Sequence, residues 1–174
     1  FSGFKLDSGG GTAGTGLLLP KDNKGKVPSS YGQIGAAAKF RISDTTLRAG
    51  TLMPKLPVVS SGDGRLIPQT FQGMQLTSQD VTNLTLNLGQ LERDNQRNST
   101  NNEPMTISLY KVATGFTDKR DTSKYTKTNK NISSKFNFAS GSYKWNDQLT
   151  TGYHYGQLDG VYKQHILNGV YTLP

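Results

Sequence analysis

Residues 50–73 read GTLMPKLPVVSSGDGRLIPQTFQG, a stretch punctuated by Pro and Gly that has neither helical nor strand period. Connections between elements usually run about 2–6 residues, so a loop this long is either disordered or functional. Its hydrophobes (Leu52, Leu56, Val58, Val59, Leu66, Ile67 and Phe71) argue for a loop that packs on something. It also presents Arg65 and Asp63, as a binding or gating element would.

The flanks of this loop alternate with period two, the strand signature. In 34–42, Ile34, Ala36, Ala38, Phe40 and Ile42 are apolar, while Lys39 and Arg41 share the other face. Ser43, Asp44 and Thr45 suit a tight turn. The return strand sets Leu47, Ala49 and Met53 against Arg48. Beyond the loop, Met74–Thr77 reads as a short strand and 78–82 as a turn. Leu84, Leu86 and Leu88 then alternate with Thr85, Asn87 and Gly89. Residues 94–131 are polar, with one apolar island at 105–112. Three further strands are expected near 136–145, 149–157 and 161–173, with turns at Asn146-Asp147 and Leu158-Asp159-Gly160. No segment carries a 3.6-residue period, so the chain reads as an all-β meander.

Composition narrows the function. The chain has 174 residues, 33% hydrophobic, with 20 Gly and no Cys, poorer in apolar residues and richer in turn-formers than a soluble α/β enzyme. Without cysteine there is no disulfide frame, thiolate metal site or Cys nucleophile. No run approaches the roughly 18 apolar residues of a membrane helix. The net charge of +8 invites nucleic acid. Its Lys and Arg residues are scattered among apolar ones, however, which reads as a basic surface with no nucleic-acid partner.

Short and long connections alternate: long at 7–33, 54–72 and 94–131, short at 43–45, 78–82 and 146–147. An outer-membrane barrel keeps its long loops at one end and its short turns at the other. Tyr143, Trp145, Tyr153, Tyr155 and Tyr171 suit an aromatic girdle. In water the same alternation builds a soluble β-domain, which would bind anionic ligands through the same basic residues, and the pattern by itself leaves both open.

Three motifs carry a family resemblance. Gly50 to Pro57, followed by Gly62-Asp63-Gly64-Arg65-Leu66-Ile67-Pro68-Gln69-Thr70-Phe71-Gln72-Gly73, resembles the inward-folded third loop of OprD-type porins, substrate-specific outer-membrane channels. Tyr153-His154-Tyr155-Gly156-Gln157-Leu158-Asp159-Gly160-Val161-Tyr162-Lys163-Gln164-His165, closing on Val170-Tyr171-Thr172-Leu173-Pro174, is similar to that family's "YYxxLEDIYRQxY…YTLP" region. Lys39-Phe40-Arg41-Ile42-Ser43-Asp44-Thr45 is similar to its "KxRISKT" hairpin. The resemblance covers essentially the whole chain and is weakest over 110–131. It implies an antiparallel transmembrane β-barrel, of which residues 1–174 form one partial domain with both ends cut, contributing about eight of the family's eighteen strands.

The resemblance also implies a function and its residues. The folded-in loop narrows the lumen, and lumenal basic residues form a ladder for carboxylate solutes. Arg65 matches the family's loop arginine, with Asp63 beside it. Lys39, Arg41 and Arg48 sit on the polar faces of their strands as further handholds. Guanidinium offers a permanent charge and a planar donor fork matched to carboxylate. The loop's PKLP (54–57 with flanks) is closer to the branch taking aromatic carboxylates than to the basic-amino-acid branch. The expected partners are small carboxylate solutes and outer-membrane lipid, the expected assembly a monomer or loose homotrimer, with no cofactor, metal or enzymatic activity. Lys135 and Asn137 alternate with Phe136 and Phe138 and so are expected on the lumenal face. His154 and His165 lack a third ligand at metal spacing and read as interface or wall histidines. Gly9 to Gly14 matches G-x-G-x-x-G, but no helix can open before Pro20.

Overall fold

The computed structural model describes residues 2–5, 30–64, 67–96, 102–106 and 132–173. Among them there is no helix. The strands are β1 (Ser2–Lys5), β2 (Ser30–Gln33), β3 (Ala37–Ile42), β4 (Thr45–Leu52), β5 (Lys55–Leu56), β6 (Val59–Ser60), β7 (Thr70–Ser78), β8 (Leu84–Asn95), β9 (Asn102–Thr106), β10 (Ile132–Ser133), β11 (Phe136–Lys144), β12 (Leu149–Leu158) and β13 (Tyr162–Tyr171). The main sheet runs β13-β12-β11-β8-β7-β4-β3, with β9 and β10 attached beyond β8. All pairings are antiparallel. Seven of these strands, β3, β4, β7, β8, β11, β12 and β13, form the continuous path of the main sheet, and β1 pairs with β2 in a separate two-stranded sheet.

Register fixes two faces, because directly opposed residues project to the same side. One row runs Phe40–Leu47–Leu76–Leu88–Ala139–Tyr155–His165, and its neighbour Ile42–Thr45–Ser78–Leu86–Gly141–Tyr153–Leu167. This outer face is open, with Phe40 64%, Leu88 50% and Leu167 81% exposed. Large apolar side chains left bare in rows across a whole sheet require an apolar solvent.

The opposite face carries the core. Leu52, Phe71, Leu91, Phe136, Phe138 and Leu158 point to this side and cluster with Val58, from the segment that connects β4 to β7. The long loop therefore lies back over the sheet. Two glycines let the strands and rings of this face pack closely. A β-carbon at Gly73 would sit 2.1 Å from the Gln90 carbonyl oxygen, and one at Gly89 would sit 2.3 Å from Cζ of Phe138. A bulge leaves Glu92 without a partner between Gln72 and Gly73. It shifts the phase of β8 so that Asp94, opposite Phe71, comes onto the loop-bearing face.

The turns at 43–44, 79–83 and 145–148 lie along one rim. Asp80 binds two of them together: its carboxylate accepts from the Asp44 amide at 2.8 Å, from the Thr45 hydroxyl and from the Ser78 hydroxyl at 3.2 Å. The Gln79 amide donates to the Asp44 carbonyl at 3.1 Å. Ser43 and Asn83 adopt positive φ, 54° and 63°, which polar turn residues tolerate best among non-glycines. β4 ends and β7 begins at the other rim, at Leu52 and Thr70, and β8 also ends there, at Asn95. The link at 159–161 also lies there although it is short, because β12 and β13 are a plain hairpin closed by Gly160 at φ 70°.

Several sequence expectations are corrected. The strand expected at 74–77 runs from Thr70 to Ser78. Asn137 lies on the outer face, where Nε2 of Gln90 donates to its Oδ1 at 2.7 Å. Phe136 and Phe138 take the inner positions instead, buried to 2% and 3% exposure. Polar-inside alternation presumes water on that side, and here the folded-in loop replaces the water with apolar contact. Lys135 is exposed just ahead of β11 and lines no wall.

Candidate functional site

The site is the loop-bearing face, and one row of the sheet spans it: Lys39–Arg48–Gln75–Gly89–Phe138–Gly156–Gln164. The end of the row from Phe138 to Gln164 lies beneath the loop. Val58 packs on the Phe136 cluster, and its Cβ would stand 3.1 Å from a β-carbon at Gly156. The half formed by Lys39 and Arg48 is uncovered, and both side chains are exposed. Neither has a hydrogen bond or ion pair among the described residues. Two like charges directly opposite each other cost stability, a cost characteristic of a site that needs them.

Arg41 differs. Its guanidinium holds Asp44 at 2.7 Å and donates through Nε to the Ser43 carbonyl at 2.9 Å. It caps the short turn at the rim, so its charge is matched locally. The structure thus brings Lys39 and Arg48 together and separates Arg41 from them. Asp63 is exposed on the returning limb of the loop. Arg65 and Leu66 lie outside the described residues.

Toward the short-turn rim the inner wall turns polar. Nε2 of Gln75 and the Thr77 hydroxyl both donate to Oδ1 of Asn87, at 3.1 and 2.8 Å. Further along, the Ser140 hydroxyl lies 2.6 Å from Nδ1 of His154, and Nε2 of His154 lies 3.0 Å from Oδ1 of Asn168. Oδ1 of Asn168 can only accept, so Nε2 carries the proton and Nδ1 takes the Ser140 hydroxyl. His154 is 3% exposed, a structural element of the wall. His165 projects from the other face of the sheet, its Nδ1 2.7 Å from the Tyr153 hydroxyl. The two histidines therefore serve different environments. Among the described residues no group of His, Asp and Glu converges on a metal position.

The outer face ends in aromatic rings at the short-turn rim. Tyr143 and Trp145 meet edge-to-face at 4.8 Å, and Nε1 of Trp145 donates to the Thr151 hydroxyl at 2.8 Å. Rings with an apolar body and a polar tip belong at a lipid–water boundary. A sheet apolar outside, polar and basic inside, with a loop folded over its inner face, is a segment of a porin wall.

A family model described as "outer membrane porin, OprD family" matches residues 1–174. The chain belongs to the OprD family of outer-membrane porins. The porin-like protein GalP of Pseudomonas putida is 38% identical over 162 residues, covering 92% of this chain and 35% of that protein. The crystal structure of OccK8 (OprE) from Pseudomonas aeruginosa superposes with a TM-score of 0.76 at 40% identity, covering 91% of this chain and 37% of the other. OpdQ of the same organism gives 0.69 at 49% identity over 84% of this chain and 36% of its own. The chain spans about a third of the length of the relatives it matches. In an OprD-family barrel the apolar outer face of this segment is expected toward lipid and the loop-bearing face toward the lumen.

Loop placement, β11 facing and the Lys39–Arg48 pair bear on the site in different degrees of legibility. The basic pair was visible as alternation. The Gly156–Gln164 slot beneath the loop was not, because its residues come from two strands and only register brings them under Val58.

Proposed function

We propose that the protein containing this segment forms a channel for passive, substrate-selective uptake of small carboxylate solutes, aromatic carboxylates in preference to basic amino acids. The observation that carries this reading is the uncovered Lys39–Arg48 pair in the same row as the loop-covered wall. A solute confined between them meets fixed positive charge on one side and an apolar loop on the other. That combination suits an anion with an apolar body. In a narrow pore the attraction exceeds its value in bulk water, while handholds spaced along the path keep binding weak enough for release. Arg65, with Asp63 close by in the loop, supplies the handhold from the loop side. Arg41 stands apart, since Asp44 offsets its charge.

Two solved relatives support the solute class. OpdK of Pseudomonas aeruginosa, 29% identical, was crystallised with vanillate, and OpdF, 30% identical, with glucuronate. Both ligands are carboxylates. The test is swelling of liposomes containing the full-length channel in isotonic benzoate or arginine. Faster entry of benzoate supports the reading, and faster entry of arginine overturns the preference.

A further inference from the structure

Resting on the channel reading, we propose that Gln164 is the positioning residue for the tip of the lumenal loop and thereby sets the aperture. The tip is the hairpin of β5 and β6, whose ladder consists of Lys55 opposite Ser60 and Leu56 opposite Val59. So short a hairpin does not hold its own place in water, and its position comes from what it docks on. The base of the loop is tied by its own backbone. The Ser61 amide donates to the Pro54 carbonyl at 2.9 Å, and the Gln69 amide to the Gly62 carbonyl at 2.7 Å. The Gln69 side chain extends the tie, accepting from the Gly62 amide at 3.4 Å and donating to Asp94 at 3.3 Å.

Among the described residues the tip has one directional hold on the wall. Nε2 of Gln164 donates to the Val58 carbonyl at 2.9 Å, joining positions 106 apart in sequence. Among the described residues no other wall side chain hydrogen-bonds to the tip. Apolar contact of Val58 with the Phe136 cluster favours burial but not one position, since it is non-directional, whereas a hydrogen bond fixes distance and angle. Gly156 completes the slot. A β-carbon there would lie 3.0 Å from Nε2 of Gln164, 3.1 Å from Cβ of Val58 and 2.9 Å from Cζ of Phe136. The absence of a side chain at Gly156 lets the tip and the amide meet. Gln164 occupies the far end of the row that begins with Lys39 and Arg48, so it places the loop tip at a set distance from the basic pair.

The chain contains no cysteine, which gives a direct test in the full-length protein. The thiol of Val58→Cys, at a position 7% exposed, reports each excursion of the tip through its rate of labelling by a polar thiol reagent. Adding Gln164→Met keeps side-chain length and removes the donor. Labelling is expected to accelerate about fivefold, the factor corresponding to one neutral hydrogen bond. Ile67→Cys, at a position 1% exposed on the same loop, is the control and is expected to label at an unchanged rate. Equal rates at Val58→Cys with and without Gln164→Met would overturn the proposal. So would equal acceleration at both thiols, which marks general loosening of the loop. The labelling needs no current, so a channel that fails to conduct refutes the channel reading and leaves this result standing. In potassium chloride, the Gln164→Met channel is further expected to show more open-state current fluctuation than the unsubstituted channel.

Discussion

Leu86→Arg tests the assignment of faces. Leu86 lies in β8 on the outer side, 38% exposed, with Ser78 and Gly141 directly opposite. From Leu84 at the short-turn end to the polar pair Gln90–Asn137, the strand advances about 20 Å at roughly 3.3 Å per residue. Leu86 and Leu88 fall inside that apolar interval, away from either polar boundary. An arginine facing lipid near the bilayer midplane costs about 2–4 kcal/mol, falling toward zero near the interfaces. Leu86 lies nearer the short-turn boundary, and a long side chain reaches toward it, so the lower end, about 2 kcal/mol, is expected. That is roughly a thirtyfold loss in the folding constant. Reversible unfolding of the full-length protein from lipid vesicles by denaturant reads this directly. Thr85→Arg, one residue back on the opposite face of the same strand, is expected to change stability by less than about 1 kcal/mol. Refutation would be the reverse order, with Leu86→Arg tolerated and Thr85→Arg costly.

Lys39→Ala and Arg48→Ala are each expected to lower anion preference, seen as a shift of reversal potential in a salt gradient, while Arg41→Ala combined with Asp44→Ala leaves it unchanged because the two charges of that pair offset each other. An equal shift from the double substitution would put all three basic residues on the solute path. Asp80 is held at a pKa of about 2, below its ordinary 3.8, chiefly by the Thr45 hydroxyl and further by Ser43, the Asp44 amide and Ser78. A depressed carboxylate stabilises above its unfolded pKa and loses that contribution as pH falls through the folded one. Hydrogen exchange at the Asp44 amide is therefore expected to stay slow above about pH 4 and to quicken relative to the intrinsic rate toward pH 2, while Asp80→Ala is expected to show quick exchange at every pH. Gly89→Ala drives a methyl group to 2.3 Å from the Phe138 ring and 2.5 Å from the Met74 carbonyl oxygen. It is expected to destabilise the folded barrel by about 1–3 kcal/mol, measured in the same unfolding assay.

What could be read from the sequence follows from which solvent each side meets. Leu84, Leu86 and Leu88 alternate cleanly, as expected of a barrel strand with lipid on one face and water on the other. Phe40 and Ile42 against Lys39 and Arg41 obey the same rule, so the strands and the basic pair were visible. The rule fails at Phe136 and Phe138. There the loop covers the inner wall, so both faces of β11 are dry at that point and alternation carries no sign. β7 was read short for the same reason: Phe71 faces the loop-covered inner side and the polar Gln72 the outer side, the reverse of Met74 to Thr77, although the strand runs unbroken opposite β4. The separation of Arg41 from Lys39 and Arg48 depends on a turn contact with Asp44, and the slot under Val58 on the register of β12 with β13. Neither is a property of one segment. The loop itself was recognisable by its Pro and Gly spacing, while the expected role of Arg65 remains a proposal resting on family likeness.

Planar-bilayer recording of the full-length protein tests the central claim most directly. With benzoate added to one side, the account predicts discrete current steps that benzoate blocks in a concentration-dependent way and arginine leaves largely unaffected, the block weakening in Arg48→Ala. Folded, detergent-soluble protein that inserts without conductance, or a channel blocked by arginine and indifferent to benzoate, would contradict it.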